Sequence, residues 1–238
     1  MNTVPILMYH NLGTPPKGAK VKGLYVKRHS FEWQMSAMKF FGYKGLSMGE
    51  LKPYLQGTKQ GKVFGITFDD GYYDNLALAL PILQKYNHSA TCYFVSNRLG
   101  EHNIWDAEKL NVKKPIMSSE QMLKWHSSGM EVGAHTRHHV RLTSLESSKL
   151  KDEIQGCKEQ LEDILGKDVK HFCYPWGDVN QKVIEATKDA GYETATTTSK
   201  GRATKDNDLF SLPRVHVMRN HNLFAFLMKI MSRYGDKK

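Results

Sequence analysis

Two adjacent carboxylates, Asp69 and Asp70, stand in the run TFDDG, and three histidines, His135, His138 and His139, crowd into HTRHH. One aspartate and two imidazoles suffice for an open divalent-metal site, because three protein ligands leave room for water and substrate. The donor mix suits Zn2+, and also Co2+, Ni2+ or Fe2+. Such an ion polarises a carbonyl and lowers the pKa of water to about 7. A second carboxylate beside it can act as general base. Neighbouring side chains on an extended chain point apart, so Asp69 and Asp70 are expected to face different partners. Taken alone, DDG is also ordinary turn and helix-capping chemistry.

The histidine cluster tips the balance toward a metal. On a strand His135 and His139 share a face and His138 points away; on a helix the same pair stands at i and i+4. A tight loop could converge them as well. No glutamate follows His135, so the HExxH pattern of helix-borne zinc proteases is absent. His138 is expected behind the ligands or at the surface.

Elements that alternate in kind must position these groups. Apolar, β-rich runs cover 4–10, 62–71, 90–96 and 130–136, and recur in VKHFCYPWG, YETATTTS and LFSLPRVHV. Helical spacing covers 30–43, LALALPILQKYN (with Pro81 marking a start or a kink), 118–129, VNQKVIEATKDAG and HNLFAFLMKIMSRYG. The clearest helix carries Leu150, Ile154, Cys157, Leu161, Ile164 and Leu165 as one apolar stripe. Residues 97–117 form a polar connection long enough to lie over a site. The β-then-α rhythm runs without a linker. It predicts one α/β domain over 1–238 with a mostly parallel sheet, open or closed into a barrel. Chemistry in such folds sits at the carboxyl ends of strands. The polar clusters fall there: His10, Asp69–Asp70, His135–His139, Tyr174–Trp176 and Arg214–His216.

The formal charge of +10 over 238 residues suggests an anionic partner, such as an acidic glycan or phospholipid headgroups. The cations are spread along the chain without a nucleic-acid motif, so no nucleic-acid partner is expected. Three scattered cysteines with no CxxC pair indicate neither a disulfide framework nor a cysteine zinc site. The start MNTVPILMYH lacks a basic n-region, and no run reaches the length of a membrane span. A cytoplasmic protein, or one peripheral to the inner membrane, is expected, or a secreted or periplasmic one if a leader has been removed. The basic, amphipathic C-terminal segment, with Leu223, Phe224, Leu227, Ile230, Met231 and Tyr234 apolar, reads first as a helix closing the barrel. Its second reading is peripheral contact with a membrane. Oligomeric state stays open.

TFDDG, HTRHH and YPWG, in that order, resemble the first three motifs of the polysaccharide deacetylases of the NodB-homology type, carbohydrate esterase family four. The resemblance spans about residues 4–217. It implies a distorted (β/α) barrel and metal-dependent removal of acetyl groups from sugars, usually N-acetylglucosamine. It further implies Asp69 as general base, Asp70, His135 and His139 as metal ligands, and Thr136 as a brace of the ligand loop. The metal and the backbone N–H near Trp176 would stabilise the oxyanion. Tyr174 and Trp176 would line the sugar groove.

Two departures stand out. The arginine that begins the third motif in many members is Cys173 here, and Arg214 in LPRVH is the candidate replacement. The late histidine that usually serves as general acid corresponds to His216, without the leucine two residues before it. PILMYHN resembles instead the poly-N-acetylglucosamine deacetylases, where a histidine ending the first strand is the acid. His10 is therefore placed ahead of His216, with Tyr9 beside it toward substrate. The expected activity is N-deacetylation of an amino sugar in a bacterial cell-surface polysaccharide, or in a lipopolysaccharide or lipid-linked precursor. The alternatives are an O-acetyl sugar esterase and a glycan-binding protein that has lost activity.

Overall fold

The computed structural model describes residues 3–232. Its central sheet holds β1 Ile6–Tyr9, β2 Lys44–Leu46, β3 Val63–Phe68, β4 Thr91–Phe94, β5 Glu131–Ala134, β6 His171–Cys173, β7 Thr194–Lys200 and β8 Leu212–His216. Neighbours in it are parallel. β8 pairs with β1 (Val215 opposite Leu7) and β1 with β3 (Leu7 opposite Ile66), which closes a seven-strand barrel. The short β2 lies outside that ring, with Gly45 opposite Phe64, while Ser89 N–H donates to the Gly45 carbonyl. It thus wedges between β3 and β4 at their starts, and the ring is distorted as the resemblance implied.

Helices α1 Arg28–Phe40, α2 Met48–Leu55, α3 Leu80–Tyr86, α4 Ser119–Ser127, α5 Cys157–Leu165, α6 Gln181–Asp189 and α7 Leu223–Met231 cover the outside. Side chains alternate across each strand, and the alternation sorts the core into two clusters. Leu7, Tyr9, Ile66, Phe68, Phe94, Phe172 and Val215 point outward into the helix layer. Ile6, Val63, Tyr93, Cys173 and Leu212 point into the barrel. Trp125 of α4 shows how the outer layer locks. Its ring meets Phe68 edge-on at 6.0 Å and its indole N–H donates to the Glu131 carbonyl at 2.9 Å, so a large apolar surface is buried without orphaning its polar atom.

β2 and α2 were not legible in the sequence. Gly45, Gly49 and Pro53 depress both propensities, and the buried stripe Met48, Leu51, Leu55 spans only two turns. The Ser47 side chain caps α2 by accepting from Glu50 N–H. Pro81 does not start a helix: the run is helical from 73 to 86, and a π-helical turn, Asn75–Ala79, widens it just before Pro81 and accommodates the N–H that proline lacks. The stripe from Leu150 to Leu161 is buried on one run, 147–165, widened by a π-turn at Asp152–Gly156. The last helix packs Phe226 and Ile230 inward. Tyr234, expected on its apolar face, lies outside the described residues.

Candidate active site

Inward positions at the carboxyl ends of the strands converge on one cavity of about 320 Å³, reached by His10, Asp69, His135 and His216. A larger cavity, of about 680 Å³, opens at the other end of the barrel beside Val4 and Val63. Lysines and tyrosines line it, without paired carboxylates and imidazoles. Chemistry, not volume, chooses between them.

Asp69 follows β3, its N–H donating to the Tyr9 carbonyl at 3.0 Å. It is 3% exposed. Arg214, fully buried in the barrel, grips both its oxygens, Nη1 to Oδ1 at 2.7 Å and Nη2 to Oδ2 at 2.8 Å. The same guanidinium donates to the Thr197 carbonyl and to Thr67 Oγ1, and its Nη2 lies 3.2 Å from Cys173 Sγ. Arg214 therefore supplies from β8 the charge that Cys173 cannot supply from β6. Burial pushes the Asp69 carboxyl up, but the charge and hydrogen bonds of Arg214 more than reverse this and hold it below the ordinary range. His10 Nε2 stands 3.8 Å from Asp69 Oδ2.

Asp70 would point outward if the strand continued. Its φ of +73° turns the chain into the left-handed region and swings the carboxylate back over the barrel mouth. There Oδ1 meets His135 Nε2 at 3.4 Å and His139 Nε2 at 3.2 Å. Burial raises the Asp70 carboxyl, and hydrogen bonds from the two imidazoles bring it well below its usual value. β5 ends at Ala134, and Thr136 and His139 both adopt positive φ, +64° and +57°. The two histidines thus meet through a tight loop, the third geometry considered above, rather than through strand or helix periodicity. Thr136 Oγ1 braces it by accepting from His139 N–H at 2.9 Å. Glu153 braces it from behind: Oε2 accepts from the N–H groups of Arg137 and His138, each at 3.0 Å, and Oε1 lies 2.6 Å from His138 Nδ1. His138 is thereby turned away from the cavity.

The donor set fits a divalent metal. His135 Nδ1 donates to the Cys173 carbonyl at 2.7 Å, leaving the Nε2 lone pair free for an ion. Two ligands each about 2.0–2.1 Å from a tetrahedral zinc stand roughly 3.3 Å apart, which matches the 3.2 and 3.4 Å separations from Asp70 Oδ1. A second group, Asp69, His135 and Cys173, also converges. Arg214 already occupies its carboxylate and faces its sulfur, so a cation is excluded there.

Other expectations need correcting. Tyr9 does not face substrate: it is an outward position on β1, fully buried, packed on Phe31 and Phe68 and donating to Gln34 Oε1 at 2.8 Å. Tyr174 borders the cavity, but its ring packs on Phe172 in the helix layer and its hydroxyl donates to the Phe210 carbonyl at 3.0 Å, so it offers no ring face for stacking on a sugar. Trp176 is 40% exposed and sets its ring against His139 at 4.8 Å. His216 reaches the cavity wall, but its Nε2–H is engaged by the Thr198 carbonyl at 2.8 Å, and burial lowers its pKa to about 4. Trp105, stacked on His139 at 4.4 Å, was missed within the 97–117 connection. Its indole in an otherwise polar loop was the available signal.

Comparison with known proteins agrees with this geometry. The chain is 27% identical over 233 residues to the poly-beta-1,6-N-acetyl-D-glucosamine N-deacetylase of Staphylococcus epidermidis, covering 92% of this chain and 76% of that one. The Streptococcus pyogenes deacetylase PplD, solved with acetate, superposes with a TM-score of 0.83 at 26% identity, over 96% of this chain and 98% of that one. A polysaccharide deacetylase from Bacillus cereus superposes with a TM-score of 0.82 at 31% identity, over 96% and 69%. The sequence profile described as polysaccharide deacetylase matches residues 56–195, from just after α2 through the ligand loop into β7. A barrel of this shape, closed over these residues, makes the chain a member of the polysaccharide deacetylase family and a hydrolase of amide C–N bonds.

Proposed function

We propose that the chain is a metal-dependent N-deacetylase of N-acetylated amino sugars, of the N-acetylglucosamine type. Its substrate would be a bacterial cell-surface polysaccharide, or a lipopolysaccharide or lipid-linked precursor. The observation that carries this reading is the Asp69–Arg214 fork set 3.8 Å from His10 and directly beside the Asp70, His135 and His139 donor set.

Asp69 is the base. Held ionised by Arg214, it accepts the proton of the attacking water. His10 is the acid, giving a proton to the nitrogen as the C–N bond breaks, so that amine and acetate leave. The engagement of His216 with Thr198 weighs against the rival assignment. A Zn2+ ion on Asp70, His135 and His139, or Co2+, Ni2+ or Fe2+ in its place, would polarise the acetyl carbonyl and acidify water. Trp176 offers an apolar face at the rim for a sugar ring. Since Arg214 replaces the missing motif arginine, the reason for suspecting an inactive glycan binder falls away. Ester deacetylation of an O-acetyl sugar is the second reading, because the same groups serve both reactions.

For location we propose the cytoplasm or the inner-membrane surface, or a secreted or periplasmic site if a leader has been removed. Phe224, Met228 and Met231 form an exposed apolar stripe on α7 beside Lys229, which suits peripheral contact with a glycolipid-bearing membrane. No described helix is long and apolar enough to cross a membrane.

The test is acetate release from N-acetylglucosamine oligomers by metal-loaded wild type, Asp69→Asn and His10→Ala. Release by the wild type, with large losses in both variants, is expected. Release from O-acetyl sugars alone would move the assignment to an esterase, and oligomer binding without release from any substrate would make the chain a binding protein.

A further inference from the structure

The wall facing the metal donors comes from the 97–117 connection, and it is rigidly built. Asn103, fully buried, accepts from Lys114 N–H at 2.6 Å and donates from Nδ2 to Asp106 Oδ1 at 2.6 Å. The Lys114 ammonium reaches back to the barrel. It donates to Asp74 Oδ2 at 2.7 Å and to Asn11, and lies 4.4 and 4.9 Å from the ring centres of Tyr25 and Tyr72. Two of its three N–H donors are thereby engaged, and the two rings flank the ammonium. Trp105 is likewise committed, stacked nearly parallel on His139.

Asp106 differs from its neighbours. It lines the cavity, one oxygen is fixed by Asn103, and the other has no donor among the described residues. It is not part of the converging donor set of Asp70, His135 and His139, so it is not placed as a fourth ligand. Partial burial, and then the negative charge of Asp70, raise its carboxyl to about 6. One acceptor oxygen of Asp106 is open to the cavity, within reach of a donor that a ligand brings there. An N-acetylated amino sugar brings hydroxyl donors, and bonds to a charged acceptor are the stronger kind.

We propose that Asp106 is a substrate-contacting residue whose open oxygen accepts a hydrogen bond from a hydroxyl of the sugar that carries the scissile acetamide. This rests on the deacetylase reading. Asn103 and Lys114 are the positioning residues that hold Asp106 in place.

The test uses zinc-loaded wild type and Asp106→Asn on two substrates, an N-acetylglucosamine oligomer and p-nitrophenyl acetate, which carries no sugar. kcat/KM on the oligomer should fall about 10- to 100-fold, as expected for an unpaired polar contact to a substrate hydroxyl. Ester hydrolysis and zinc stoichiometry should stay at wild-type level. Equal losses on both substrates, or lost zinc, would make Asp106 a support of the metal centre and overturn the proposal; undiminished oligomer turnover would overturn it as well. Calorimetric binding of the oligomer separates the two readings. A wild type that neither binds nor turns over any oligomer sinks the function and this assignment together. A working wild type matched by Asp106→Asn sinks the assignment alone.

Discussion

Replacing Arg214 with methionine keeps most of the side chain's volume and removes the guanidinium. Asp69, at a position only 3% exposed, then loses two hydrogen bonds, at 2.7 and 2.8 Å, and the guanidinium charge that faces it. Breaking a buried pair by deleting one partner costs about 3–5 kcal/mol. For a chain of this length each kcal/mol moves the melting point by about 2–4 °C, so a drop of roughly 6–20 °C is expected. The pH dependence carries the sharper prediction. In the wild type the Asp69 carboxyl sits below its ordinary value. Its stabilisation is therefore present above the unfolded carboxylate pKa, about 3.9, and is lost as pH falls through the depressed folded value. Without Arg214 the upward push of burial, the largest influence on this carboxyl, is opposed only by the weaker pull of His10 and His135, so the folded carboxyl rises and protonation on acidification relieves the variant. The difference in urea midpoint between wild type and Arg214→Met should be widest near pH 8 and shrink toward pH 5, measured on metal-free protein. In the metal-loaded enzyme the acid limb of kcat/KM should move to higher pH, and at neutral pH the loss should approach the 10²- to 10⁴-fold typical of a removed general base. A stability gap independent of pH, with an unmoved acid limb, would refute the claim that Arg214 sets the charge of Asp69.

His10→Ala should lower kcat by about 10²- to 10⁴-fold, whereas His216→Ala, whose ring already donates to Thr198, should change it only a few-fold; the reverse order in acetate-release assays would exchange their roles. Asp70→Asn should abolish stoichiometric zinc in metal analysis. It should also abolish the thermal stabilisation by zinc, which at 100 times Kd amounts to about 2.7 kcal/mol. Glu153→Gln should weaken metal affinity about 10- to 100-fold, as supports of ligand groups do, without lowering kcat of the saturated enzyme. Trp176→Gly removes a residue held at φ +62°. It should leave stability unchanged or raise it by about 1 kcal/mol, while raising KM for glycan oligomers several-fold.

Local chemistry was the legible part of this sequence. TFDDG and HTRHH point to two carboxylates and two imidazoles gathered at one cavity, as the fold has them, because unusual residue types crowd a strand end, and strand ends can be read from apolar runs. The long apolar stripe from Leu150 to Leu161 needed no tertiary information. β2 and α2 were illegible because Gly45, Gly49 and Pro53 contradict the elements that hold them, and only packing of Met48, Leu51 and Leu55 beneath the barrel pays for the mismatch. Trp105 was hidden for another reason: a loop residue acquires its role from the fold that brings it over His139, 34 positions along the chain.

Barrel register explains both the misplaced tyrosines and the guess about Arg214. With Val215 opposite Leu7 and Leu7 opposite Ile66, those three residues share the outward side of β8, β1 and β3. Alternation then sends Arg214, His216, His10, Thr67 and Asp69 inward, and sends Tyr9 outward with Leu7. The same rule on β6 sends Cys173 inward and Tyr174 outward with Phe172. Proximity to a motif in sequence therefore says less about a side chain than its parity relative to the nearest inward-facing catalytic group. Tyr9, one residue from His10, is a core residue, while Arg214, 145 positions from Asp69, holds both its oxygens. The cation beside the base can come from any inward position whose strand lies within a guanidinium's reach. In a closed barrel several strands satisfy that condition, so loss of the arginine from one motif is no evidence that the base has lost its partner.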